Sequence, residues 1–419
     1  MRLVMQHSNC VPSLAAGMKA LPSADAAFAD TQALWRFLSN PRVKPVHLAG
    51  PVLALSKLGI EQGCDAYALA VHDWSRLNFH THTSKPDRVR MTHDTDVGYE
   101  LQSTVLVADR DGSPIGAPTQ NLRTAHGLLS SRWDGVQDTP THLNELSQRM
   151  LWLDQQRLGR PLVHVVDREA DSVAHLRAWS AQGSLWLVRV KAAGPVKWNA
   201  RDIKLSELAE QLTYEQVRTV EHQGIQAQQW VASTTVVLTK AAKPKKLDAQ
   251  GKRIAAVPGK PLTVRLVISR VRGASNELLA EWYLLSNVGT DVRAETLALW
   301  YYWRWRIESY FKLLKGAGQQ VEHWEQESGS AIFKRLLIAS HACALAWRLM
   351  RANGEFAEQT RAFLVRLSGR QTKRNKPVTV SALLSGLYML FVMNETLHHY
   401  SPEEITAFVR EARGIGPPR

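Results

Sequence analysis

From residue 184 to about 288 the chain reads as strands: Leu185–Val190, Gln229–Leu238, Leu262–Val271 and Leu279–Leu285. The pattern on either side is different. Upstream, the short apolar runs Tyr67–Val71 and Pro161–Val166 alternate with helical segments, one near Thr141–Leu158 and one running through Trp179. Downstream, Asp291–Lys315 and Ile332–Met350 have helical periodicity. Strands with helices, then strands alone, then helices predict an α/β fold. In it a mixed core is interrupted by an all-β insertion and flanked by helical N- and C-terminal regions.

The segments follow from these changes of pattern. Residues 1–62 are expected to be helical, with Asp25–Phe37 at helical spacing until Asn40-Pro41 stops it. Residues 63–183 form the first part of the core, 184–289 the insertion, 290–350 the second part of the core, and 351–419 a helical C-terminal region. Inside the insertion, Lys240 to Arg253 carries Lys240, Lys243, Lys245, Lys246, Lys252 and Arg253 against Asp248 alone. It reads as a basic loop, either solvated or touching a polyanion. Gly369 to Pro377 is a second basic loop.

Charge narrows the partner. Lys and Arg number 52 against 38 Asp and Glu, a formal charge of +14. On a folded chain such a surplus suggests a polyanionic partner, commonly nucleic acid, although solubility alone also explains a basic chain. With 45% hydrophobic and 21% charged residues, disorder is excluded. Cys10, Cys64 and Cys343 lie far apart with no C-x-x-C, which argues against a disulfide framework or a cysteine zinc site and fits a reducing cytoplasm. The longest apolar stretch, Val380–Met393, falls short of the roughly 20 residues a membrane span needs. No membrane partner is therefore expected. The 14 Trp are read mostly as packing: Trp300, Trp303, Trp35 and Trp347 as core, with Trp74 and Trp305 flanking the site below.

Two carboxylates stand where chemistry is expected. Asp73 and Asp167 each directly follow a short apolar strand, and in an α/β sheet the carboxyl ends of strands line the functional crevice. Turns recruit Asp as well, so either residue alone says little. Holding two divalent ions needs a third carboxylate. At about 100° per residue, Tyr301, Arg304, Glu308, Lys312 and Lys315 fall between about −60° and about +20° of one helix stripe. Trp300, Trp303, Ile307, Tyr310, Phe311 and Leu314 fall opposite, as a core seam. A solvated face with an Arg304/Glu308 pair is the plain alternative. Asp94-Thr-Asp96 is a competing acidic pair on a strand pattern, and His80-Thr-His82 a competing metal motif without a third ligand nearby.

The spacing Tyr301-x-x-Arg304-x-x-x-Glu308-x-x-x-x-x-x-Lys315 resembles the Tyr-Arg-Glu-Lys signature of the insertion-sequence-four family of DDE transposases. Val71-His-Asp73-Trp-Ser and Asp167-Arg-Glu-Ala-Asp171 resemble that family's two aspartate motifs. Arg36-Phe-Leu-Ser-Asn40-Pro-Arg-Val43 resembles its N-terminal helical segment. The resemblance implies an RNase H-like core with a catalytic, metal-binding triad of Asp73, Asp167 and Glu308. It implies two Mg²⁺, with Mn²⁺ as a substitute, and an all-β insertion between Asp167 and Glu308. Tyr301, Arg304 and Lys315 would contact DNA phosphates, with Lys312 and Arg168 as further candidates. Trp282, ahead of Tyr283-Leu-Leu-Ser286, aligns with a family tryptophan that receives a flipped base; a core Trp at a strand start is the other reading. The partners implied are double-stranded DNA, at terminal inverted repeats and target, and a second subunit, in the bacterial cytoplasm. Residues 1–62 would bind the element end. The activity implied is cleavage at element ends and strand transfer. A stand-alone nuclease and a decayed DNA-binding protein are the alternatives.

Overall fold

The two strands that bring Asp73 and Asp167 together run side by side at the centre of one large sheet. The computed structural model describes residues 27–222, 224–242, 250–252, 254–256, 258–316, 319–369 and 378–413. Helices α1 (Ala27–Ser39) and α2 (Pro45–Gly63) lead into β1 (Ala68–Asn78). A short β2 (Val89–Arg90) precedes the antiparallel run β3 (Val97–Ala108), β4 (Pro114–Thr124), β5 (Gly127–Ser130) and β6 (Val136–Gln137). Helix α3 (His142–Gln155), β7 (Leu162–Val166), α4 (Val173–Ala181) and β8 (Leu185–Val190) follow. β1 pairs antiparallel with β3 but parallel with β7, and β7 pairs parallel with β8. Parallel neighbours need crossovers, and α3 and α4 supply them. The order through this part is β8-β7-β1-β3-β4.

The predicted strands of the insertion are present, at β8, β12 (Ile225–Leu238), β13 (Leu262–Arg272) and β14 (Leu278–Ser286). Strands β9 (Pro195–Trp198), β10 (Arg201–Lys204) and β11 (Glu215–His222), and helix α5 (Leu205–Ala209), had no clear signal. β14 lies antiparallel beside β8, so β14, β13, β12, β9 and β10 extend the edge of the central sheet. The region is therefore not all-β, and β8, expected to open the insertion, is a strand of the central sheet. Extension is the physical outcome because an unpaired edge at β8 would expose a ladder of N–H and C=O groups. Most of the first basic loop (243–249 and 253), most of the second (370–377) and Asp25 lie outside the described residues.

The next three helices share one core cluster with Leu69 and Val71 of β1. α6 (Ala294–Tyr302) packs on β12 and β13, and α7 (Arg306–Lys315) packs on β1 and β3. α8 (Gly329–Arg351) is buried along most of its length against β4 and α2. α9 (Glu355–Leu367), α10 (Val380–His399) and α11 (Pro402–Ala412) complete the chain. The predicted single helix Asp291–Lys315 is in fact two, joined by a 3₁₀ turn at Trp303–Trp305. Gly112, at φ +71° in the β3–β4 turn, makes room for that junction: a Cβ there would stand 2.5 Å from the Trp303 ring. Arg306 donates to the Gly112 carbonyl from the other side of the junction. α10 continues past Met393 through Asn394-Glu-Thr to His399. At 20 residues it is, by length and composition only, long and apolar enough to cross a membrane, which corrects the shorter span read from hydropathy.

Candidate active site

Strand alternation sets the direction of Asp73. Leu69 and Val71 face the cluster that contains Ile307, Tyr310 and Leu314 of α7, whereas Ala68 and Ala70 face a second cluster with Leu153 and Leu158. With a period of two, Asp73 continues the α7 side and His72 the α3 side. The parallel register pairs His72 with Val166, the last residue of β7. Asp73 therefore stands beside Asp167, where the parallel pairing of β1 and β7 ends; Asp167 follows β7, but Asp73 lies midway along β1, not after it as expected, because β1 runs on to Asn78 against β3. Asp167 caps the 3₁₀ turn Arg168–Ala170, its carboxylate accepting the Arg168 N–H at 2.6 Å.

Arg304 joins the two. Its Nη1 donates to Asp73 Oδ2 at 2.8 Å, and its Nη2 stands 3.5 Å from Asp167 Oδ2. Tyr301 Oη donates to Asp167 Oδ1 at 3.0 Å. Residues three apart are eclipsed in a 3₁₀ helix, so the turn that breaks the predicted helix stacks Tyr301 and Arg304 over the aspartates. Both are buried, although the continuous stripe placed them on the outer, phosphate-contacting side. Arg189 of β8 adds a third cation, with Nη1 3.6 Å from Asp167. No motif pointed to Arg189; a cation within the apolar strand Leu-Trp-Leu-Val-Arg-Val was the available signal.

The carboxylates differ in their electrostatics. Burial pushes Asp73 up to about 6, against the opposing pull of Arg304 and the Trp74 N–H; Glu308 and Asp167 push it further up. Burial also acts on Asp167, but Arg304, the Arg168 N–H, Tyr301 and Arg189 together hold it below its ordinary value. Glu308 lies on the first turn of α7, half-buried, and forms no hydrogen bond or ion pair among the described residues.

The other predicted residues are distributed around this group. Lys315 pairs with Glu322 at 3.7 Å, two turns beyond Glu308, and Lys312 is exposed. Arg168 is exposed and lines a cleft of about 1160 Å³ on the α3 side, with Trp74, His142, His175 and Lys191. Trp282 lies within β14, 8% exposed, with its ring against Tyr301 and Tyr302 at 5.9 and 6.5 Å. Its burial leaves little face for a base in this conformation. Trp305 is 56% exposed, with its ring 5.4 Å from the Arg304 guanidinium. The competing motifs are held elsewhere. Asp94 and Asp96 pair with Arg90 and Arg76, and His82 contacts Lys85 and lies 4.0 Å from Glu325.

Three hard carboxylate oxygens donors of this kind suit Mg²⁺ or Mn²⁺. A cation already sits between two of them, the Arg304 guanidinium. Among the described residues, no three His, Cys, Asp or Glu side chains stand close enough to enclose a metal ion. The donor set thus fits a divalent cation in chemistry, while its present spacing is set by an arginine.

Comparison with known proteins gives one family match. No curated protein matches the chain. In three dimensions it is similar to a solved piggyBac transposase synaptic complex with hairpin DNA, with a TM-score of 0.36 and 10% identity. That likeness covers 85% of this chain and 58% of the other, so the chain spans less than two thirds of its length. Residues 139–347, just under half of the chain and including Asp167 and Glu308, match the family described as a transposase DDE domain. Residues 139–347 are thus similar to a transposase DDE domain, and Asp73 lies outside the matched stretch.

Proposed function

We propose that this chain is a cut-and-paste transposase of the insertion-sequence-four type, similar to the transposase of transposon Tn-five. It cleaves DNA at the terminal inverted repeats of its element and joins the freed ends to target DNA. The observation that carries this reading is the meeting of Asp73 and Asp167 on adjacent parallel strands, under the helix that presents Glu308, in a chain whose residues 139–347 match a transposase DDE domain. The sheet order β8-β7-β1-β3-β4, with three antiparallel strands followed by parallel ones, supports an RNase H-like core. The segments 1–62, 63–183, 184–289, 290–350 and 351–419 keep their proposed roles, from end binding to pairing of two subunits. Localisation in the bacterial cytoplasm, at the nucleoid, belongs to the same reading.

Asp73, Asp167 and Glu308 would hold two Mg²⁺, for which Mn²⁺ can substitute. Bound divalent ions supply activation of an attacking oxygen and stabilisation of a leaving one. The chain's own residues do the rest. Tyr301 orients the Asp167 carboxylate through its hydroxyl. Glu308 brings a carboxylate with no internal partner, so its charge is available to a cation. Lys312, Lys315 and Arg168 are placed to neutralise the DNA backbone around the carboxylates. The formal charge of +14 favours capture of duplex DNA and makes binding fall steeply with salt.

The test is an integration assay with end DNA, target plasmid and Mg²⁺. The proposal expects joined products that disappear with Asp167→Asn. Cut ends without any joined product would convert the reading to a stand-alone nuclease.

A further inference from the structure

We propose that Arg304 is a gate that makes divalent-metal binding depend on DNA. The inference rests on the reading of Asp73, Asp167 and Glu308 as metal ligands. The guanidinium stands between Asp73 and Asp167, at 2.8 and 3.5 Å, and is only 5% exposed. The carboxylates do not close into a ligand set while it is there. Glu308, one helical turn on, forms no hydrogen bond or ion pair among the described residues.

Two cations cannot occupy the space between Asp73 and Asp167 together. Without DNA, Arg304 neutralises the pair and competes with a divalent ion for the same oxygens. Leaving costs Arg304 a charge-assisted hydrogen bond and an ion pair in a buried site, unless another anion receives it. A DNA phosphate at the mouth of the site is such an anion. Trp305 is on that side, exposed beside the guanidinium. The phosphate takes Arg304, Asp73 and Asp167 are released, and Glu308 completes the set. By linkage, DNA then tightens metal binding and metal tightens DNA binding by the same factor. The device keeps the nuclease chemistry unassembled until substrate is present.

The experiment titrates Mn²⁺ into the full-length protein and follows the free ion by electron paramagnetic resonance, with and without a 40-base-pair DNA duplex. Without DNA, Arg304→Gln is expected to bind Mn²⁺ about tenfold more tightly than wild type. The duplex is expected to tighten wild type by a similar factor and the variant hardly at all. Equal Mn²⁺ affinity of the two proteins without DNA overturns the gate. If Arg304→Gln does not fold, Arg304→Lys replaces it. Its single ammonium holds one carboxylate at a time and predicts an intermediate gain, and an unchanged affinity again overturns the proposal. Asp73→Asn combined with Asp167→Asn in the Arg304→Gln background separates the two levels of the argument. Loss of Mn²⁺ binding there supports the gate. Retained binding shows that the carboxylates are not the ligands, and the underlying reading fails with it.

Discussion

The same strands carry two groups of charged side chains, one on each face of the sheet, and the groups are built differently. On the α3 face the buried acids have basic partners. Glu145 pairs with Arg132 at 2.7 Å and Arg149 at 3.1 Å, all three at most 2% exposed. Glu100 accepts from His142 at 2.8 Å, and Asp154 meets His164, which in turn meets His72 at 2.8 Å. On the α7 face, Asp73 and Asp167 share Arg304 while Glu308 has no ion pair among the described residues. A closed network holds elements together; one that ends in an unpaired carboxylate has capacity left for a cation. Asp73 and His72 are adjacent in sequence and belong to opposite groups, because alternation along β1 sends them to opposite faces.

That contrast is sharpest at Glu308. Glu308→Gln is expected to reduce DNA cleavage in Mg²⁺ by more than about a hundredfold while leaving stability within about 0.5 kcal/mol, since no internal contact is lost. Retained cleavage would remove Glu308 from the ligand set. A marked fall in the unfolding midpoint would instead place it with the structural acids.

The reverse outcome is expected across the sheet. Glu145→Ala leaves Arg132 and Arg149 buried without their counter-charge, and Arg149 already has Nε and Nη1 without acceptors. Breaking a buried pair in this way costs about 3–5 kcal/mol. Denaturant unfolding measures it; a loss below about 1 kcal/mol would mean that the network contributes little to the fold.

The smallest effect is a pH window. The Glu100 hydrogen bond raises His142 above its ordinary 6.5, so its contribution is full below that value and is lost as pH rises through the raised one. Burial pushes Glu100 up, but His142 and Gln102 together bring it below its ordinary 4.5. Its contribution is present above 4.5 and is lost as pH falls through the lowered value. The pair therefore supports the fold most between pH 4.5 and 6.5. Melting temperatures of wild type and His142→Gln should differ most in that window and converge at higher pH. A pH-independent difference would make the contact one of packing alone.

Much of the fold was legible because its signals are local. Short apolar runs ending in His-Asp and Asp-Arg announced β1 and β7, and apolar β-branched stretches announced β8, β12, β13 and β14. Strands β9 to β11 are short or polar and lack that signal; Glu215–His222 contains a single buried residue. The membership of β8 in the central sheet was not legible, because pairing partners are distant in sequence. At the site, the spacing from Tyr301 to Lys315 was visible, but the reading assumed one continuous helix. The 3₁₀ turn at Trp303–Trp305, seated on Gly112, turned Tyr301 and Arg304 inward. Trp282 was hidden in the same way, since only the packing of β14 against Tyr301 and Tyr302 shows that its ring is enclosed.

The sequence by itself determined which residues have the chemistry: two aspartates after short apolar runs and a glutamate on an amphipathic helix, in a basic chain. Residue type and short-range periodicity suffice for that, because strand ends and helix faces are set within a few residues. Only the tertiary structure decided how those groups are partnered. Parallel pairing brought Asp73 beside Asp167, one tightened turn placed Arg304 between them, and Glu308 was left without a hydrogen bond or ion pair among the described residues. Those outcomes depend on contacts between residues more than ninety apart in the chain, which no local pattern encodes.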